Sequence, residues 1–185
     1  MSESMITKKA LSKALVDLCA SKRFDKLSVA EITNQCGLKR QSFYYHFMDK
    51  YDLLEWTYRQ DALHYLTNGV KLDNWDAHVL KMLQQIQNNE RFYHNTVSTD
   101  QNILSSCFSN LTNTLFHDLF KRLDENNVIS LKDREFYSRF FSYGCCGVLV
   151  NWIIEGFKES AEDIAIQIIR LAKDTQFLVS QLQNN

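Results

Sequence analysis

Ser28-Val29-Ala30-Glu31-Ile32-Thr33-Asn34-Gln35-Cys36-Gly37-Leu38-Lys39-Arg40-Gln41-Ser42-Phe43-Tyr44-Tyr45-His46-Phe47-Met48-Asp49-Lys50 decides the fold of this chain. Two short helical patterns meet at Gly37. Ser28 and Glu31 stand three apart, the spacing of a capping box, in which the serine hydroxyl takes the N–H near Glu31 and the carboxylate reaches back to Ser28. Val29, Ile32 and Cys36 then form one apolar stripe, and Gly37 ends the helix in a left-handed conformation at little cost. A second short helix runs from about Arg40 to Phe47, with Phe43 and Phe47 one turn apart. Leu11, Leu15 and Leu18 recur at helical spacing upstream and predict a bracing helix from about Thr7 to Ser21. A braced pair of short helices at one turn is a helix-turn-helix.

Helical geometry assigns the second helix its faces. With Phe43 and Phe47 inward, a step of about 100° per residue turns Gln41, Ser42 and Tyr45 outward. Tyr44 and His46 fall on opposite flanks, and Lys39 and Arg40 stand at the N-terminal tip. In a helix-turn-helix the first residues of this helix meet base edges in the major groove. Gln41 has the amide to pair with adenine and Arg40 the fork to pair with guanine, each worth roughly 1–3 kcal/mol of discrimination. Lys50 and the backbone N–H groups at Ser28 and Val29 are placed to hold phosphates, since a helix N-terminus attracts anions. The same residues admit a plainer reading, in which the rings are core and Lys39-Arg40 a solvated turn.

Working outward, the rest of the chain reads as helix. It has 185 residues, no proline and five glycines, so strand punctuation is missing. Asp49 caps a predicted helix from Lys50 to about Thr67, and Asn68–Asn74 reads as a loop. Helical patterns follow at about Trp75–Asn88, Glu90–Thr96 and Asp100–Glu125. Ser130 and Ser160 open two long helices, about Leu131–Lys158 and Ala161–Leu182. The expected architecture is all-α: a DNA-binding domain over 1–50 and a helical regulatory and dimerisation domain over 51–185.

Charge and cysteine content narrow the function. Residues 1–60 carry ten Lys or Arg against seven Asp or Glu, and the remainder eleven against fifteen. The differences, +3 and −4, sum to the net charge of −1. A basic front on an acidic body suits nucleic acid held at one end. Five cysteines at irregular spacing include no CxxC pair, which argues against zinc. Cys145-Cys146 suits packing better than redox sensing. No glycine-rich phosphate loop, GxSxG or HExxH occurs, so no enzyme and no cofactor is expected. No run approaches the roughly 18 apolar residues of a membrane span, and the expected location is the cytoplasm.

Two runs carry a resemblance. Leu27-Ser28-Val29-Ala30-Glu31-Ile32, and Cys36 to Leu54 with Tyr44-Tyr45-His46-Phe47, Lys50 and Leu53-Leu54, resemble the signature of the TetR family of transcription regulators. The resemblance implies DNA contacts at Lys39, Arg40, Gln41, Tyr44, Tyr45, His46 and Lys50. Gln41 departs from the small residue of many members, so the operator is expected to differ. More loosely, Phe140 to Gly147 and Asn151 to Phe157 with Ser160 resemble the subgroup that contains the activator of dihydroxyacetone kinase operons.

Phe136–Ile154 is apolar around nearly its whole circumference, so it must be covered on two sides. A second subunit is the simplest second cover, and the resemblance implies the same. The expected interface is Tyr143, Gly144, Gly147, Val148 and Trp152 with Ile164, Ile168, Leu171 and Leu178. The homodimer would set two recognition helices on the half-sites of a double-stranded operator. Two inputs stay open: a small-molecule effector among Phe92, Tyr93, Phe108, Phe116, Phe120 and Tyr137, which more often form core, or a coactivator protein. The rival reading is a helical interaction module without DNA.

Overall fold

The computed structural model describes residues 3–71, 73–124 and 129–183; side chains at 123, 173 and beyond 174 are not described. Among the described residues there are nine α-helices and no strand. They are α1 (Glu3–Cys19), α2 (Val29–Gln35), α3 (Arg40–Tyr44), α4 (Lys50–Asp61), α5 (Trp75–Asn88), α6 (Glu90–Thr99), α7 (Gln101–Leu123), α8 (Leu131–Ile154) and α9 (Ala161–Gln183). A 3-10 turn, Phe24–Lys26, links α1 to α2, and another, Leu63–Leu66, follows α4.

The first three helices and the start of α4 share one core. Leu11, Leu15 and Cys19 of α1 bury against Phe24, Ile32, Phe43, Phe47, Leu53 and Leu54. The predicted caps are in place: Ser28 and Glu31 close a full capping box, Gly37 has φ +68°, and the Asp49 carboxylate accepts from the N–H groups of Tyr51 and Asp52. Asp49 therefore starts α4 directly behind the recognition helix and fixes its exit.

No gap separates the two expected domains. α4 passes from one into the other, and a continuous apolar cluster runs from Leu11 to Ala165. Tyr58 of α4 stacks on Tyr93 at 5.5 Å and donates to the Thr96 hydroxyl at 2.6 Å. Asp61, at its end, accepts from Gln85 and Asn89 of α5 and from the Tyr93 hydroxyl. These anchors explain why α4 stops at Asp61, short of the predicted Thr67: the 3-10 turn beyond it buries Leu63 and Leu66.

α7 and α8 form an antiparallel pair. Thr112 and Ser142 meet hydroxyl to hydroxyl at 2.9 Å in its seam, and Arg134 and Asp124 form a buried ion pair at 3.1 Å towards its far end. α9 lies against α5. α8 ends at Ile154, not near Lys158, because Gly156 (φ +78°) and Phe157 (φ +57°) both turn left-handed. The Phe157 N–H donates back to the Trp152 carbonyl at 3.0 Å, and its ring packs edge-on against the Trp152 indole. That is a helix-terminating motif.

Candidate nucleic-acid interface

The recognition helix is short, and its two faces differ in kind. Phe43 and Phe47 are buried and in contact at 5.8 Å between ring centres. On the other side Lys39, Arg40 and Gln41 are exposed, Tyr44 is about half exposed, and Tyr45 is 84% exposed. A tyrosine left that bare costs apolar exposure that folding alone does not reward. α3 closes at Tyr44 and Tyr45–His46 continue it as a turn, so it is shorter than the predicted Arg40–Phe47.

The tip is held in a resting arrangement. The Arg40 guanidinium donates to the Tyr44 hydroxyl at 3.1 Å and lies over the Tyr44 ring at 5.4 Å. Such a contact is worth about 0.5–1 kcal/mol at an exposed site, little enough for a guanine to displace it. His46, half-buried, meets the Ser4 hydroxyl of α1 at 3.5 Å and the edge of Tyr45 at 5.0 Å. Met48, 82% exposed beyond α3, is an apolar side chain on this surface that sequence reasoning passed over. Only its place one turn after Tyr45 signals it.

Two expected phosphate contacts are corrected. Lys50 does not project into solvent: its ammonium donates to the carbonyls of Phe24 (3.0 Å), Asp25 (3.0 Å) and Leu27 (2.9 Å) and sits over the Phe24 ring. All three ammonium donors are thereby engaged. Burial pulls its pKa below the usual lysine value, against the opposing pull of Asp25. Likewise the Ser28 N–H donates to the Glu31 carboxylate at 2.9 Å, so an anion already occupies that helix terminus. Val29 begins α2, and its N–H is one of the first-turn groups a helix leaves unpaired.

Glu31 also pairs with Lys22, and that bond, with the Ser28 hydroxyl next, holds its pKa down to about 2. A carboxylate with a lowered folded pKa stabilises above its unfolded value of 4.5, and the contribution is lost as pH falls through about 2. The box is therefore intact at neutral pH. Ser28→Ala is expected to cost about 1 kcal/mol, read as a fall in melting temperature of roughly 2–4 °C for a chain of this size. An unchanged melting curve would show that the box is not holding α2.

The expected dimer residues divide between two faces. Tyr143 (63% exposed), Gly144, Gly147 and Val148 lie on the open side of α8, and a Cβ added at either glycine would meet nothing within 4 Å. Phe136, Phe140 and Ile154 extend that open stripe along the helix. Trp152 is on the opposite side, 3% exposed, its indole N–H donating to the Glu159 carbonyl at 2.9 Å. Ile164 is buried in the same way, because α9 uses it to pack on its own chain, and Ile168 also packs on that core. Leu171 is largely exposed, and Leu178 lies outside the described side chains.

The proposed effector aromatics fill space rather than line it. Phe92, Tyr93, Phe108 and Phe120 are buried, and Phe116, Phe120 and Phe141 pack on one another at 5.6–6.3 Å. A cavity of about 610 Å³ opens elsewhere, between α7 and the start of α8, lined by polar groups such as Asn113, His117, Lys132 and Arg139. Cys145 is pushed up by burial to about 11 and Cys146 also rises, which keeps both as thiols and favours packing over redox sensing.

A helix-turn-helix with a bare recognition face, set on a helical body with an open apolar stripe, defines a DNA-binding regulator. Comparison with known proteins agrees. The family described as "Bacterial regulatory proteins, tetR family" matches residues 11–56, and that described as "Transcriptional regulator C-terminal region" matches residues 73–174. The chain belongs to the TetR family of transcriptional regulators.

Among relatives, the HTH-type dhaKLM operon transcriptional activator DhaS of Lactococcus lactis subsp. lactis (strain IL1403) is 27% identical over 174 residues, 92% of this chain and 91% of that protein. A solved structure titled "Dihydroxyacetone kinase operon activator DhaS" superposes with a TM-score of 0.74 at 25% identity, over 94% of this chain and 98% of that one. The fatty acid degradation regulator FadR from Bacillus halodurans shares the fold, with a TM-score of 0.62 at 12% identity over 89% and 93% of the two chains. Regulators of this family bind DNA operators, typically as dimers. Among the described residues no helix is long and apolar enough to cross a membrane.

Proposed function

We propose that this regulator binds a palindromic operator as a homodimer, in the cytoplasm, and reads it with the tip of α3. One observation carries the reading. Phe43 and Phe47 fix the helix from behind while Lys39, Arg40, Gln41 and Tyr45 stand in solvent in front. Arg40 and Gln41 read bases; Lys39, Tyr44, Tyr45, His46 and the Val29 N–H meet the backbone. The open stripe of α8 joins the protomers. The likeness to DhaS over nine-tenths of both chains supports a dihydroxyacetone kinase operon as the target, with this protein as its activator.

The input is a coactivator protein rather than a small molecule inside the core. The packing of Phe92, Tyr93, Phe108 and Phe120 on their neighbours supports this, since a ligand there would have to displace them. Genomic fragments selected by the purified protein test the target: neighbouring dihydroxyacetone kinase genes are expected, and fragments sharing no sequence would overturn the reading.

The roles within α3 are separable. Tyr45→Ala is expected to weaken binding to every duplex, specific or scrambled, because backbone contacts carry no sequence. Gln41→Ala is expected to relax preference at one position by about 1–3 kcal/mol, a factor of roughly 5–150. Gel shifts on duplexes varied base by base measure both. Preference untouched by Gln41→Ala would remove this residue from base reading.

A further inference from the structure

Asn95 sits on α6, outside the recognition unit, yet all of its amide is spent on the turn between α1 and α2. Its Nδ2 donates to the carbonyls of Cys19 (2.9 Å) and Lys22 (2.8 Å), and its Oδ1 accepts from the Phe24 N–H (3.0 Å). The next residue, Thr96, bonds Tyr58 of α4 at 2.6 Å. From the inner side the same turn is held by Lys50, through the carbonyls of Phe24, Asp25 and Leu27. Every one of these bonds to the turn is to backbone. The turn is thus gripped by its main chain, from α4 within and from α6 across the seam, whatever its own side chains are.

We propose that Asn95 is a positioning residue that fixes the angle of the recognition unit on the body, and so the half-site spacing a dimer accepts. The inference rests on the dimeric reading above. Only a planar group with two donors and one acceptor can make these three bonds together; aspartate keeps the acceptor and loses both donors. α6 also carries Phe92 and Tyr93 into the central core, so a shift of that core moves Asn95 and the turn with it. One added base pair moves a half-site by about 3.4 Å along the duplex and roughly 35° around it. A unit locked to the body cannot follow that change, and a loosened one can.

The test uses the full-length protein and duplexes whose selected half-sites are moved apart or together by one and two base pairs. Wild type is expected to discriminate against a one-pair change by roughly tenfold or more, comparable to one mismatched base pair. Asn95→Asp and Asn95→Ala are expected to keep the dimer mass and the affinity for a single half-site, while spacing discrimination falls several-fold. Hydrogen exchange at the Phe24 amide is expected to quicken in Asn95→Ala, which answers even if that variant binds poorly. Both variants keeping wild-type spacing discrimination, or an unchanged Phe24 exchange rate, would overturn the inference alone. A wild type indifferent to spacing would overturn the dimeric reading beneath it.

Discussion

Tyr143→Glu is expected to convert a sedimenting dimer into a monomer and to weaken operator binding by roughly 10²–10⁴, the gain that linking two half-site contacts supplies. Tyr143 is 63% exposed in the isolated chain, so a glutamate there meets water and leaves the fold alone. Substitutions at such surface positions usually stay within about 0.5 kcal/mol of stability. In a two-fold interface one substitution enters twice, and each carboxylate would be buried against Phe140, Gly144 and Gly147 of the stripe without a partner. Trp152→Glu is the wrong probe. At 3% exposure, with its indole bonded to Glu159 and packed on Phe157, it would unfold the end of α8. A dimer that keeps its mass with Tyr143→Glu would move the interface off this face of α8.

That contrast shows what could be read from the sequence and what could not. Periodicity predicted α5 to the residue and placed every other helix, because each stripe and each cap is a local signal. Ser28, Asp49, Ser130 and Ser160 each bond their helix starts as their spacing demands. Helix ends were harder, since α4 stops on contacts to α5 and α6, and α8 on a left-handed phenylalanine. Sorting Tyr143 from Trp152 was out of reach. A helix apolar all round has no polar face to orient it, so which side meets its own chain is decided only when α7 packs on Ser138 and Ser142. Phe136 and Phe140 were missed from the stripe for the same reason.

The candidate site was legible where side chains act alone. Phe43 inward and Gln41 and Tyr45 outward follow from a rotation of about 100° per residue. Positions whose partners lie far along the chain were not. Asn95 is an ordinary polar residue in a mid-chain helix until α6 is laid against the α1–α2 turn, some seventy residues earlier. Met48 looked like a loop residue because nothing in the sequence says that the loop is bare. Lys50 failed differently: its place after Asp49 suggested a cation at a helix start facing DNA, and the fold turns it inward.

Lys50→Met therefore separates two roles that both predict weaker DNA binding. As a clasp, its loss strips the bonds from the carbonyls of Phe24, Asp25 and Leu27, two of them at partly buried positions. Each orphaned buried carbonyl costs about 1–3 kcal/mol, so destabilisation of about 2–4 kcal/mol is expected. The loss of charge adds little, since burial already disfavours the ammonium. The melting temperature should then fall by roughly 4–16 °C, at about 2–4 °C per kcal/mol. The slope of log affinity against log salt, measured below the melting range, should stay as in wild type, because no phosphate contact has gone. Lys39→Ala, at the exposed tip, is expected to do the reverse: an unchanged melting curve and a slope shallower by about 0.9. A Lys50→Met protein that melts like wild type but loses that 0.9 would return Lys50 to the DNA. It would also leave the α1–α2 turn held from α6 alone, with Asn95 as its remaining clasp.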